Sequence, residues 1–140
     1  MALHRNAAEA AGPFDERLGA GARFPASEDN DFGFRLLEAG YCIVYEPAAL
    51  VHHRAWRTRG DFVRLRWRYG RGQGAFYAKH LAPGDRWMLA RLRDELARQA
   101  RKVPGRLRGR QARMLAADAA FAAGLVAGMA EWLLTQRREG

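Results

Sequence analysis

The chain has 140 residues, with 24 Lys and Arg against 15 Asp and Glu for a formal charge of +9, 49% hydrophobic residues and a single cysteine. That length suits one domain with a sizeable core, and the balance is too apolar for a disordered chain and too mixed for a collagenous one. Lone Cys42 permits no internal disulfide, which excludes the disulfide-stapled secreted class and thiolate metal clusters and fits a reducing compartment. The charge is unevenly spread. Residues 1–53 carry four basic and eight acidic groups, residues 54–113 carry eighteen and four, and residues 114–140 carry two and three. An acidic head followed by a strongly basic middle points to a surface that meets an anion: nucleic acid, phosphate-bearing ligand or acidic headgroup. A solvated arginine face explains any single arginine equally well.

The opening Met1-Ala-Leu-His-Arg5 reads as neither a signal nor a transit peptide, because Glu9, Asp15 and Glu16 follow at once; the expectation is a cytoplasmic chain. Ala7 to Ala11 reads as a short helix ended by Gly12-Pro13, since proline lacks an amide donor and restricts its neighbour. Ser27-Glu-Asp-Asn30, then Phe32, Leu36 and Leu37, predicts an amphipathic helix with Ser27 as its cap and Gly40 as its left-handed stop. Tyr41 to Tyr45 and Leu50 to His53 are β-prone runs separated by Glu46-Pro47.

From Asp61 the pattern fits either a strand, with Val63, Leu65, Trp67 and Tyr69 alternating with arginines, or a helix through Phe62, Leu65, Tyr69 and Phe76; the helix is preferred. Gly70-Arg-Gly-Gln-Gly74 reads as flexible backbone, lacking the strand and full fingerprint of a phosphate loop. Arg86 to Lys102 predicts a helix interrupted at Pro104-Gly105. In the apolar stretch from Met114 to Leu134, Asp118 and Glu131 confine the uncharged run to residues 119–130, too short to span a bilayer. Ala120, Gly124 and Gly128 form a small-residue stripe suited to close helix packing within the protein, with shallow membrane docking as the second reading.

The densest group of chemically capable side chains is Glu28, Asp29 and Asp31, with His52 and His53 further along. Acidic groups at a helix start complement its dipole, but three exceed what capping requires. A carboxylate near a sugar hydroxyl can act as general base, and a neutral histidine can ligate a metal. Neighbouring strand residues point to opposite faces, so at most one of His52 and His53 can serve one site.

Gly12-Pro-Phe-Asp-Glu-Arg-Leu18, Ser27-Glu-Asp-Asn-Asp-Phe32, Arg35-Leu-Leu-Glu-Ala-Gly-Tyr41, Ile43-Val-Tyr-Glu-Pro47 and Val51-His-His53, in that order, resemble the C-terminal half of the catalytic domain of family-2 glycosyltransferases. The opening five residues are similar to the strand these enzymes place before the first of those elements. The resemblance covers roughly residues 1–85 and implies an α/β chain, a partial GT-A fold with few short strands, followed by a helical basic and apolar tail over residues 86–140. It implies inverting transfer of a sugar from a nucleotide-diphosphate donor to a saccharide or lipid-linked acceptor. In that reading Asp29 is the general base, Glu28 and Asp31 shape the acceptor side, and His53 helps hold a divalent Mg or Mn ion. Arg68 and Arg71 stand ready for a diphosphate or lipid phosphate.

The family's donor-binding half and its Asp-x-Asp metal motif precede this region in related enzymes, so the expectation is a chain corresponding to half an enzyme. Asp29-Asn-Asp31 has that spelling but stands on the acceptor-side element. Val63 replaces the glutamine of the Gln-x-x-Arg-Trp motif of processive synthases, with Arg66-Trp67 present, which favours single-sugar transfer. The alternatives are a basic module binding nucleic acid through arginines interleaved with Trp56, Trp67, Tyr69 and Trp87, and peripheral docking of Arg91 to Arg113 on anionic lipid at the inner face of the plasma membrane.

Overall fold

The computed structural model describes residues 2–52, 61–82 and 85–139. Five helices follow in chain order: α1 (Arg5–Ala11), α2 (Glu28–Glu38), α3 (Phe62–His80), α4 (Arg86–Arg108) and α5 (Ala112–Glu139). No strand occurs among the described residues, beyond an isolated bridge between Leu18 and Phe24. The expected α/β, partial GT-A fold is therefore corrected to an all-α one. Tyr41–Tyr45 does lie in non-helical backbone, but no second strand runs beside it, the amides of residues 42–45 make no backbone hydrogen bond among the described residues, and Val44 and Tyr45 are 82% and 87% exposed. A strand exists only through its neighbour's hydrogen bonds, so β propensity alone leaves this run unpaired. The opening residues likewise enter α1 at Arg5 rather than forming a strand.

The α1 and α2 expectations hold. Gly12 ends α1 at φ 70°, and Gly40 ends α2 at φ 84°. At the second stop the Gly40 amide donates to Leu37 and the Tyr41 amide to Leu36, the paired bonds of a Schellman close. Ser27 differs from expectation. It is left-handed at φ 75° and spends its hydroxyl on Gln73 Oε1 at 3.2 Å, while its carbonyl accepts the Asp31 amide.

Helix α3 resolves the ambiguity after Asp61 in favour of helix. Gly70 to Gly74 lies inside α3, so the reading of flexible backbone is corrected. A methyl group on Gly70 or Gly74 would lie 2.2 or 2.0 Å from the carbonyl oxygens of Phe121 and Leu125, and one on Gly124 or Gly128 would lie 2.4 or 2.1 Å from those of Trp67 and Arg71. The glycines are absent side chains that let two backbones touch. Because rising numbers on α3 meet rising numbers on α5, the two helices run parallel, with α4 as the return stroke. This pairing is the intramolecular packing expected of the Gly124 and Gly128 stripe, and it joins residues on both sides of position 85.

Around it, Phe76, Tyr77, Met88, Phe121 and Leu125 form one core, Leu18, Phe24, Ala75, Ala78 and Trp132 a second, and Ala7, Ala11, Phe32 and Leu36 a third between α1 and α2. Helix α4 continues through Pro104, where an interruption was expected. The turn beyond the proline is held by Arg106, whose guanidinium donates to the Met114 carbonyl at 2.8 Å and pairs with buried Asp118 at 2.7 Å. Residues 112–137 are long and apolar enough, by length and composition alone, to cross a membrane, with a third of the most apolar stretch buried. The two acidic residues expected to forbid this are neutralised internally, Asp118 by Arg106 and Arg66, Glu131 by Arg23 and Arg71.

Candidate functional site

The first turn of α2 is fastened to α3 by one side chain. Gln73 Oε1 accepts from Ser27 Oγ and from Asn30 Nδ2 at 3.0 Å, so α2 presents Glu28, Asp29 and Asn30 in a fixed direction. Asp29 is exposed, and its Oδ1 accepts the Asn30 amide at 2.8 Å, leaving Oδ2 to face outward contacts. Glu28 packs its stem beside Gly19, whose φ of 112° only glycine adopts at little cost.

Two cavities meet at Asp29 and Asn30. The larger, about 420 Å³, lies between the α2 start and α3, with Glu28, Arg66, Tyr69 and Gln73 in its wall. The smaller, about 230 Å³, opens toward α4 and is lined by Phe34, Ile43, Trp87 and Arg91. Arg66 is held in place by Asp118 at 3.7 Å and by the Phe121 ring, 4.3 Å from its guanidinium carbon. Comparison with family models, with curated proteins and with solved structures returned no match. The geometry must therefore speak for the chemistry.

Of the residues singled out in sequence, Glu28 and Asp29 share the larger cavity. Asp31, one helical step on, points inward and is 0% exposed. Its Oδ1 lies 2.7 Å from both Lys79 Nζ and His80 Nε2, and its Oδ2 lies 3.1 Å from Arg35 Nε. Burial opposes its ionisation, but hydrogen bonds from His80 and Lys79 and the charges of Lys79 and Arg35 outweigh it and hold the carboxyl below its usual range. An acceptor has no path to it. Arg71 is paired with Glu131 at 2.6 Å, and Arg68 is exposed outside both cavities. His53 and Trp56 lie outside the described residues.

Among the described residues no three His, Cys, Asp or Glu side chains are placed to hold a metal ion together, and Asp31 is saturated by cations. What sequence reading missed is the other wall of the site: Arg66, Tyr69 and Gln73 share one face of α3 at i, i+3 and i+7, a spacing visible in the sequence once the helix is granted. Trp87 and Arg91, at i and i+4 on α4, repeat the pattern.

Proposed function

We propose that this chain supplies the acceptor side of an inverting sugar transfer from a nucleotide-diphosphate sugar, with Asp29 as general base. The reading concerns chemistry and not the GT-A fold, which the helices do not form. What carries it is the open Asp29 carboxylate on the ridge shared by two cavities, reinforced by the order of the motifs around it. An acceptor hydroxyl in the larger cavity gives its proton to Asp29 as its oxygen bonds to the anomeric carbon. The bond from that carbon to the diphosphate breaks on the opposite face, and the diphosphate leaves with the electron pair. A positioned base of this kind is worth about 10²–10⁴ in rate.

The test is nucleoside-diphosphate release by the native protein over a panel of nucleotide sugars and saccharide acceptors. Asp29→Asn is expected to lower turnover by about 10²–10⁴ with its melting temperature unchanged, since the side chain is exposed. Turnover retained in that variant removes Asp29 as base. The resemblance also calls for a Mg or Mn ion at the diphosphate, whose ligands the described residues do not provide by themselves.

A second reading, compatible with the first, is peripheral attachment to an anionic bilayer at the cytoplasmic face. Residues 86–113 carry ten basic and two acidic side chains. On α4, Leu89, Leu96, Val103 and Leu107 are exposed at helical spacing, and on α5 so are Val126, Leu133 and Leu134. Arg86, Arg101, Arg108 and Arg110 are exposed and make no ion pair among the described residues. A helix with an apolar stripe flanked by arginines is built to lie in a headgroup layer.

A further inference from the structure

The smaller cavity has a composition that the proposed transfer does not by itself require. Trp87 stands at its mouth, 53% exposed although Phe34 stacks against it with ring centroids 5.8 Å apart and planes 26° from parallel. One aromatic ring therefore braces another that stays open to solvent. The Arg91 guanidinium carbon lies 5.6 Å from the indole centroid, and Asp29 and Asn30 close the far wall. One N–H of the Asn30 side-chain amide donates to Gln73, which sets the direction of the amide plane and leaves Oδ1 and the second N–H for a ligand.

A pyranose ring has the matching surface. Its axial C–H bonds make an apolar face that stacks on an aromatic ring, and its rim of hydroxyls needs planar donors and acceptors around it. A phosphate or nucleotide suits the place less well, since Asp29 puts a carboxylate at the junction and Glu28 a second in the larger cavity. A neutral, hydroxyl-rich ligand meets no such repulsion, and Arg66 and Arg91 can each donate to it from opposite ends.

We infer that the two cavities are consecutive subsites for a neutral saccharide of at least two pyranose units, which straddles Asp29 and stacks one ring on Trp87. This deepens the acceptor side of the proposed transfer and rests on that reading for the purpose of the site, but not for its test. Trp87 is then a specificity-determining residue on a helix outside the region of family resemblance.

The experiment is saturation-transfer NMR of the full chain with methyl β-glucoside, cellobiose, maltose and N,N′-diacetylchitobiose. At least one disaccharide is expected to bind saturably and more tightly than the monosaccharide. Trp87→Ala should weaken that binding about tenfold, the scale of one aromatic stacking contact. Trp87→Phe, which keeps a ring on the platform, should recover most of it. No saturable binding by any disaccharide, or equal binding by wild type and Trp87→Ala, overturns the inference. Because Trp87→Phe preserves the packing on Phe34, an unfolded alanine variant does not remove the test: Trp87→Phe binding indistinguishable from no binding, beside an intact wild type, overturns it too. Saccharide binding without sugar transfer would leave the subsites standing and sink the transferase reading. Transfer with an unaltered acceptor KM in Trp87→Ala would do the reverse.

Discussion

Three carboxylates stand within four residues at the start of α2, and they do three different things. Asp29 is open, Glu28 lies along Gly19, and Asp31 is enclosed by Lys79, His80 and Arg35. Asp15 extends the same cluster: hydrogen bonding to Arg17, then to Lys79, holds its carboxyl well below the usual range. Both shifts are downward, so the folded state keeps these groups ionised where the unfolded chain would protonate them. The stability they contribute is present above the ordinary aspartate value of 3.8 and is lost as pH falls through the depressed folded values. Asp31→Asn leaves Lys79 beside an uncharged amide, and breaking a buried pair costs about 3–5 kcal/mol. The expected outcome is a large drop in melting temperature at pH 7 that narrows as wild type and variant are compared at progressively lower pH below about 4. A gap that stays constant with pH would mean the carboxylate charge is not what matters. Sequence showed the cluster of acids but not this division of labour, because two of the three partners of Asp31, Lys79 and His80, come from a helix 48 and 49 positions along the chain.

At the scale of elements, the helices with local signals were legible and the contacts between them were not. Gly12 and Gly40 announce their stops because a left-handed residue is a local demand. Gly70 and Gly74 look the same in sequence, yet they serve the close approach of α5, a demand set by a partner over fifty residues away. Pro104 reads as a break only until Arg106 is seen tying the next turn to α5. The glycines separate these two kinds of demand experimentally. Gly128→Ala drives a methyl group against the Arg71 backbone and is expected to lower stability by about 1–3 kcal/mol, as overpacking does. Gly105→Ala, inside α4 with open space around it, is expected to raise stability by up to about 1 kcal/mol. Urea denaturation of both variants checks the opposite signs; equal signs would refute the parallel packing of α3 on α5.

For the whole molecule, the acidic head is partly neutralised by the basic middle, Lys79 pairing with both Asp15 and Asp31, and much of the remaining basic charge faces outward. Glu28, Asp29, Asp31 and Asp15 gather around α2, whereas the unpaired arginines cluster on α4 and the link to α5. The net +9 therefore conceals an acidic end that is partly paired and a basic flank whose Arg86, Arg101, Arg108 and Arg110 are not, among the described residues. If the flank meets lipid, the chain should co-sediment with vesicles containing about one third phosphatidylglycerol and not with pure phosphatidylcholine, with binding falling as salt is raised. Equal binding to both vesicles would refute electrostatic docking, and stronger retention on single-stranded DNA than on anionic vesicles would favour the nucleic-acid alternative. The α/β expectation failed at this same scale. Residues 41–52 hold two β-prone runs, Tyr41–Tyr45 and the described part of Leu50–His53, but pairing needs two segments side by side, and among the described residues neither run forms a ladder.

The parallel course of α3 and α5 also bears on the order in which the chain can fold. Two helices running the same way cannot close as a hairpin, so the Gly70–Gly74 face has nothing to meet until α4 has been made and turned back and α5 has been extended past Gly128. During synthesis, α1 and α2 have their mutual contacts within the first forty residues, whereas most of the core waits for the last thirty. A ribosome-bound chain halted before α5 would lack Phe121 and Leu125 against Phe76, Tyr77 and Met88, which makes the late helix the step that commits the fold and the earlier interval its window of exposure to misassembly.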